Sequence, residues 1–175
     1  MPTTAMPMPG YGAGPLTAER LRELLSYDPD TGFFVWRVQK GRRGNVGERA
    51  GSIGGFGYRQ VRIDGTTYRE HRLAWFYMTG AWPTGEMDHR DTDRTNNAWH
   101  NLRLATRSQN MANRRAKNRH GFKGINYIRK TGRWLAQICV NYKKMHVGVY
   151  STREEAHAAY VEAAIKHHGE FARAT

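Results

Sequence analysis

The sequence has almost no cysteine and no long apolar run. Cys139 is the single cysteine in 175 residues, so neither an internal disulfide nor a cysteine zinc site can form within one chain. This scarcity predicts a reducing compartment. No stretch is long enough to cross a membrane, and residues 1–15 lack the basic leader and apolar run of a signal peptide. We therefore expect a flexible tail over 1–15 and no membrane partner.

Acidic residues are missing from a long interval of the chain. No Asp or Glu lies between Asp93 and Glu154, and the net charge is +13 with a pI of about 10.3. A solvated surface usually mixes both signs, so the interval predicts a nucleic-acid partner. A basic surface without a dedicated partner is the alternative. The predicted basic contacts are Arg94, Arg103, Arg107, Arg114, Arg115, Lys117, Arg119, Lys123, Lys130, Arg133, Lys143 and Lys144.

The first half of the chain predicts short elements separated by turns. Asp64-Gly65 lies between two runs of strand-forming residues and is typical of a two-residue hairpin turn. Gly80 follows an apolar helical pattern and predicts its end. The predicted elements are a helix over 16–27 with Thr17 as its cap, a turn over 28–32, a strand over 33–38, a glycine-rich loop over 41–57, strands over 58–63 and 66–68, and a helix over 70–79.

Asp88 and His89, followed by Asn101 and Asn110, carry the chemistry of the sequence. Cleavage of a phosphodiester needs an activated water and neutralisation of charge at the phosphate, and one divalent metal ion can supply the second. Asp88 and Asn110 offer the oxygen ligands that Mg²⁺ or Mn²⁺ accepts, and a neutral His89 suits a general base. Asn101 would form a hydrogen bond that fixes His89 or the closing loop. Asn113, on the same helical face as Asn110, is the second choice of amide ligand.

His71 is a second histidine that could compete with His89 for the catalytic role. It begins the apolar helix predicted over 70–79. A side chain in that position more often packs or contacts the DNA backbone than takes part in catalysis. We therefore assign His71 to packing or backbone contact.

The second half of the chain predicts three strands and one helix. The strands cover 125–128, 134–140 and 145–150, and Ser151 and Glu154 are predicted to form a capping box for the helix that follows. Strand alternation predicts that Ala136, Ile138, Val140, Met145, Val147 and Val149 face the helix. The side chains predicted for the open face are Asn126, Ile128, Gln137, Cys139, Asn141, Lys144 and His146. Lys130, Arg133, Lys143 and Lys144 are predicted to contact phosphates.

Asp88-His89, Asn96-Asn97, Asn101-Leu102-Arg103 and Gln109-Asn110 resemble the HNH (ββα-metal) homing-type endonucleases of phages and mobile introns. The segments 71–74 and 25–32 resemble that group as well. The resemblance covers about residues 16–113 and implies His89 as general base, Asp88 and Asn110 as metal ligands, and Asn101 as the central asparagine. If the gene belongs to a phage or an intron, the enzyme is expected in the cytoplasm of a bacterial host.

Residues 121–172 resemble an AP2-type DNA-binding domain. The similar segments are Gly124-Ile125, 132–138, 147–156 and Ala159-Tyr160. The resemblance implies a three-stranded antiparallel sheet backed by one helix, with the sheet in the major groove. Cys139 and His146 stand where the plant-type pattern has Arg and Trp, so the target sequence does not carry over. The alternative is a small protein-binding or structural module.

Together the patterns predict an α+β protein: a ββα-metal core and an AP2-like sheet packed on one helix. The expected parts are a tail over 1–15, a nuclease domain over 16–113, a basic linker over 114–120 and a DNA-binding domain over 121–175. The expected activity is metal-dependent hydrolysis of duplex DNA to 5′-phosphate and 3′-hydroxyl ends, by nicking or by cutting both strands. We expect a monomer with no small-molecule substrate. The alternatives are a catalytically inactive DNA-binding regulator and an RNA-binding protein.

Overall fold

The computed structural model describes residues 16–41, 45–114 and 121–173. The predicted tail over 1–15 and the predicted contacts Arg115, Lys117 and Arg119 lie outside these ranges. The chain divides between Leu104 and Ala105 into two compact units, ahead of the limit at 113 that the sequence predicts, and the domain limits stay a prediction. Small antiparallel sheets and a few helices confirm the α+β class. Among the described helices, none combines the length and apolarity that a membrane crossing needs.

The first unit consists of short elements around one apolar core. Its helices are α1 (Ala18–Leu24) and α2 (Glu70–Thr79). Its strands are β1 (Leu25–Tyr27), β2 (Phe34–Trp36), β3 (Ser52–Ile53), β4 (Arg59–Ile63), β5 (Thr66–Arg69), β6 (Glu86–His89) and β7 (Leu102–Ala105), the last ending one residue past the division. They form the sheets β1-β2, β3-β4-β5 and β6-β7. Leu21, Phe34, Val61 and Leu73 are almost fully buried in the shared core.

Turn and cap residues define these elements largely as the sequence predicts. The Thr17 hydroxyl accepts a hydrogen bond from the Arg20 amide and begins α1. Ile63 pairs with Thr66 across the two-residue turn, in which Asp64 and Gly65 both have positive φ, as a tight hairpin requires. The strand predicted over 33–38 is shorter, because its partner β1 has only three residues.

The second unit is a three-stranded antiparallel sheet packed on one long helix. The strands β8 (Ile125–Ile128), β9 (Arg133–Val140) and β10 (Lys143–Tyr150) lie in the order β10-β9-β8. The helix α4 (Arg153–His168) buries Ala156, Tyr160 and Ala164 against the sheet. The short helix α3 (Arg107–Ala112) also belongs to this unit. This architecture matches the sheet-and-helix prediction for residues 121–172.

Two details of the second unit differ from the predictions. A bulge in β10 between His146 and Gly148 shifts the register, so that Val149 pairs with Leu135 and not with a residue of the helix face. The predicted inward position of Val149 was therefore wrong, because a bulge reverses the alternation beyond it. The capping box consists of Thr152 and Glu155, one residue later than predicted.

Gly124 gives a test of packing in the second unit. Its φ is +74°, and a Cβ there would overlap the ring of Tyr160, whereas Gly121 has a φ of +72° and open space around it. Both Gly→Ala changes impose left-handed backbone strain of about 1–2 kcal/mol, but only Gly124→Ala adds overpacking of about 1–3 kcal/mol. We expect Gly124→Ala to lower the free energy of unfolding by the larger amount in urea titrations. Equal losses would contradict the packing assignment.

Candidate active site

Strand β6 carries the acid and the imidazole that the sequence singles out. Asp88 and His89 are both buried near its end. The Arg90 amide donates to the carbonyl oxygen of Asn101, and the Thr92 amide donates to that of His89. These bonds join the end of β6 to the segment before β7, so the two neighbouring side chains are fixed by backbone pairing.

His89 is held by a chain of buried polar groups that begins at a carboxylate. Its Nε2 lies 3.0 Å from Oδ1 of Asn97. Nδ2 of Asn97 donates to Oε2 of Glu70 at 3.2 Å, and Nε of Arg59 donates to the same carboxylate oxygen at 3.0 Å. Glu70 has no exposed surface and Asn97 is 1% exposed. Buried polar groups with partners on both sides form a rigid network, so we infer that the ring orientation of His89 is fixed.

This chain also selects the tautomer of His89. Burial raises the pKa of Glu70, but the ion pair with Arg59 opposes that rise and stabilises the ionised form, and an ionised carboxylate only accepts hydrogen bonds. Asn97 must therefore turn its NH₂ group toward Glu70 and its carbonyl oxygen toward His89. Nε2 of His89 carries the proton as a result. In the neutral ring Nδ1 is then the basic nitrogen.

Burial opposes charge on both histidines of the site. It lowers the pKa of His89, while the hydrogen bond to Asn97 and the carboxylates of Asp91, Asp88 and Asp93 act in the other direction. Burial lowers the pKa of His71 further, with added repulsion from His89. The two rings are 5.2 Å apart in an edge-to-face arrangement. Both imidazoles are therefore neutral at pH 7, which is the form a general base needs.

His71 packs within the site and, in the described part of the chain, its Nδ1 is buried without a hydrogen-bond partner. The rings of His71, Tyr58 and His89 form a cluster in which each lies within 6.1 Å of the other two. These contacts agree with the packing alternative that the sequence favours for this residue.

Arg103, one of the predicted DNA contacts, lies in a buried ion pair with Asp88. It is buried, and its Nε and Nη2 donate to Oδ2 of Asp88 at 2.9 and 2.8 Å. The two bonds leave the predicted contact of Arg103 with DNA a prediction. Local patterns in the sequence do not reveal this pairing, because fifteen residues separate the partners.

Asn101 stabilises the loop between β6 and β7. Its Nδ2 donates to Oδ1 of Asp91 at 3.0 Å and to the Asn96 carbonyl at 2.8 Å, and its Oδ1 accepts from the Asp91 amide at 3.1 Å. The sequence leaves two roles open for Asn101, a hydrogen bond that fixes His89 or one that fixes the closing loop. The contacts in the structure are with the loop. The side chain in contact with His89 is Asn97 instead. In the sequence, Asn97 stands out only as part of the Asn96-Asn97 pair.

The donor chemistry at β6 suits a hard cation. In the described ranges, no group of three or more His, Cys, Asp or Glu side chains is placed to hold a metal. Mg²⁺ does not need such a group, because it usually keeps several waters and takes one or two carboxylates plus substrate phosphates. Asp88 fits that pattern. Asn110 and the buried Asn113 lie at α3 in the second unit, and their part as amide ligands stays a prediction.

The open face of the second unit carries seven of the side chains predicted to contact DNA. Cross-strand pairing places Asn126, Ile128 and Arg133 on the face opposite α4, and Gln137, Cys139, Lys144 and His146 on the same face. Asn141 lies in the exposed turn between β9 and β10, and the exposed Lys143 begins β10. Lys130 is exposed between β8 and β9. Arg107 and Arg114 are also exposed, at α3.

Lys123 differs from the other predicted phosphate contacts. Its ammonium donates to the carbonyl of Ala112 at the end of α3. Burial, with Arg173 nearby, lowers its pKa to about 8. Lys123 therefore has a structural partner that closes α3, which sequence reasoning did not foresee.

One family of known proteins matches the part of the chain that contains Asp88 and His89. Residues 68–112 match the HNH endonuclease family, and this match confirms the prediction of an HNH endonuclease, a nuclease that acts as a hydrolase. The chain is also similar to the solved HNH homing endonuclease I-HmuI, with 19% identity over 82% of this chain and 84% of that one and a TM-score of 0.39. No curated protein is significantly similar to the chain.

The buried ion pair between Arg103 and Asp88 gives a stability test, in which the exposed Arg107 serves as the control. Arg103→Ala leaves the Asp88 carboxylate buried without this partner, and breaking a buried pair costs about 3–5 kcal/mol. We expect that loss in denaturant unfolding. The control Arg107→Ala removes an exposed charge and should change the free energy of unfolding by less than about 0.5 kcal/mol. An Arg103→Ala protein as stable as the control would contradict the buried pair.

The link between Asn97 and His89 gives a kinetic test. If Asn97 acts only by orienting His89, Asn97→Ala slows single-turnover cleavage, and the double variant with His89→Ala is no slower than His89→Ala alone. General bases contribute about 10²–10⁴-fold, and we expect Asn97→Ala to lose about 10-fold or more of that factor. Multiplicative losses in the double variant would show that Asn97 acts independently of His89.

Proposed function

We propose that this chain is a homing-type DNA endonuclease that hydrolyses phosphodiester bonds in duplex DNA. The observation that carries the proposal is the buried pair Asp88 and His89 at the end of β6, with Nε2 of His89 held by Asn97. An oriented, neutral imidazole beside a carboxylate is suited to activating water next to a phosphate. The family match over residues 68–112 supports the same chemistry.

In the proposed reaction, Nδ1 of His89 removes a proton from the attacking water while Asn97 holds the ring. Asp88, with Asn110 or Asn113, would hold one divalent ion, Mg²⁺ or Mn²⁺. When bound, that ion supplies positive charge at the phosphate and at the leaving 3′-oxygen. Arg103 fixes the Asp88 carboxylate by two hydrogen bonds. The products are then a 5′-phosphate and a 3′-hydroxyl end.

The second unit is proposed to bind duplex DNA through its open sheet face, as an AP2-like domain would. The face displays Gln137, Lys144 and His146 on β9 and β10, with Arg133 paired to Ile128 of β8. Strands β9 and β10 carry no acidic residue. Phosphate contacts would position the sheet, and polar side chains would contact base edges.

The enzyme would act as a monomer, and a single active site makes a nick the simpler product. If a phage or an intron encodes it, the enzyme would act in the cytoplasm of a bacterial host.

One observation favours a second candidate, a catalytically inactive DNA-binding regulator. Arg103 already donates two hydrogen bonds to Oδ2 of Asp88, the proposed metal-ligand side chain. A regulator with this pairing would bind duplex DNA but would not cut it with Mg²⁺ or Mn²⁺. A cleavage assay with the wild-type protein decides between the endonuclease and the inactive regulator.

The assay compares wild type with His89→Ala on plasmid DNA, with Mg²⁺, with Mn²⁺ and with EDTA. We expect metal-dependent nicking by the wild type and a loss of about 10²–10⁴-fold in His89→Ala, because the general base is gone. His146→Ala, on the second unit, should retain the chemical step at saturating protein. Equal metal-dependent cleavage by wild type and His89→Ala would refute the assignment of His89, and no cleavage by wild type would favour the regulator.

A further inference from the structure

The loop between β3 and β4 exposes a phenylalanine in an unfavourable backbone conformation. Phe56 is 79% exposed and has a φ of +62°. A non-glycine residue with a bulky side chain rarely adopts a positive φ, and a large apolar ring in water is unfavourable as well. Glycine, which occupies the neighbouring positions Gly55 and Gly57, adopts a positive φ without strain, whereas phenylalanine does not. A residue that combines strain with exposure suggests a functional role.

The surrounding contacts keep Phe56 in this conformation. Nη1 of Arg94 donates to the Phe56 carbonyl at 2.7 Å. The Gly54 amide donates to the Tyr58 carbonyl at 2.8 Å, which closes the base of the loop. A Cβ at Gly54 would overlap the side chain of Gln60. The loop is therefore a defined structure that presents the ring of Phe56 to solvent.

The loop lies beside the candidate active site. The guanidinium groups of Arg94 and Arg69 lie 4.9 and 4.5 Å from the centre of the Tyr58 ring. The same ring lies 6.1 Å from that of His89. These contacts keep the Phe56 backbone close to His89. At the rise of DNA, about 3.4 Å per base step, a phosphate held at His89 would lie within roughly five base steps of Phe56. No acidic residue lies between Arg49 and Ile63, so no carboxylate of this segment repels a phosphate.

We propose that Phe56 is a wedge that inserts between base pairs of duplex DNA close to the scissile phosphate, with Arg94 and Arg69 on the flanking phosphates. The proposal rests on the proposed function as a DNA endonuclease. Apolar side chains that enter base steps unstack and kink the duplex. A kink near His89 would present the phosphate to the imidazole. The strained backbone at Phe56 would then hold the ring in position to make that kink.

The test uses duplexes that carry 2-aminopurine at each position within five base steps of the mapped cut. Wild type, Phe56→Gly and Phe56→Leu are added in EDTA, and fluorescence reports unstacking at each position. The matched control is Phe33→Ala, which removes an exposed ring that lies under Arg49 elsewhere in the first unit. Dissociation constants are measured on the same duplexes, and cleavage is measured with Mg²⁺.

We expect wild type to raise the fluorescence at one base step, and Phe56→Leu to retain the signal because leucine is also an effective wedge. Phe56→Gly should abolish the signal and weaken binding by about 5- to 150-fold, the range for loss of an aromatic contact with a base. Its melting temperature should be unchanged or higher, because glycine adopts a positive φ without strain. That combination separates a DNA contact from a structural role.

Two outcomes would overturn the wedge while leaving the endonuclease intact. In the first, wild type cuts DNA but no position responds in fluorescence. In the second, Phe56→Gly gives the same signal and affinity as wild type. If wild type neither binds nor cuts duplex DNA, the proposed function itself fails, and the wedge fails with it.

Discussion

The first unit depends on one buried carboxylate, that of Glu70. A buried charge is costly unless it is paired and hydrogen-bonded, and burial raises the pKa of Glu70 while Arg59 opposes that rise. Arg59 and Asn97 meet the need for partners from β4 and from the loop before β7. A Cβ at Gly51 would lie 2.5 Å from Oε1 of Glu70, so the backbone packs closely there. One charge thus joins β4, α2 and the loop that positions His89.

The site combines two buried ion pairs with two neutral imidazoles, and this division follows from burial. Arg59 with Glu70 and Arg103 with Asp88 place each carboxylate beside a guanidinium, whereas burial lowers the pKa of both His71 and His89. Buried ion pairs often add little net stability, but loss of one partner is severe. We interpret the pairs as positioning devices: one orients the imidazole through Asn97, and the other orients the Asp88 carboxylate.

Local patterns in the sequence predicted several elements well. The Asp64-Gly65 turn, the end of α2 at Gly80 and the cap at Thr17 depend on backbone preferences of adjacent residues, and all three are present. Two errors in the second unit came from single-residue shifts. The bulge after His146 moved Val149 off the helix face, and the capping box lies one residue later than predicted, because alternation and spacing fix a pattern but not its exact register.

The sequence by itself determined the charge of the chain, the identity of the acid and imidazole at Asp88 and His89, and the sheet-and-helix form of the second unit. These features depend on residue type and short spacing. The tertiary structure alone decided which partners Asp88 and His89 have. Glu70 and Asn97 are 27 residues apart, and Arg103 reaches back across a strand pair to Asp88. Such contacts arise only when the chain folds, because burial forces each charged or polar group to find a partner wherever the packing brings one.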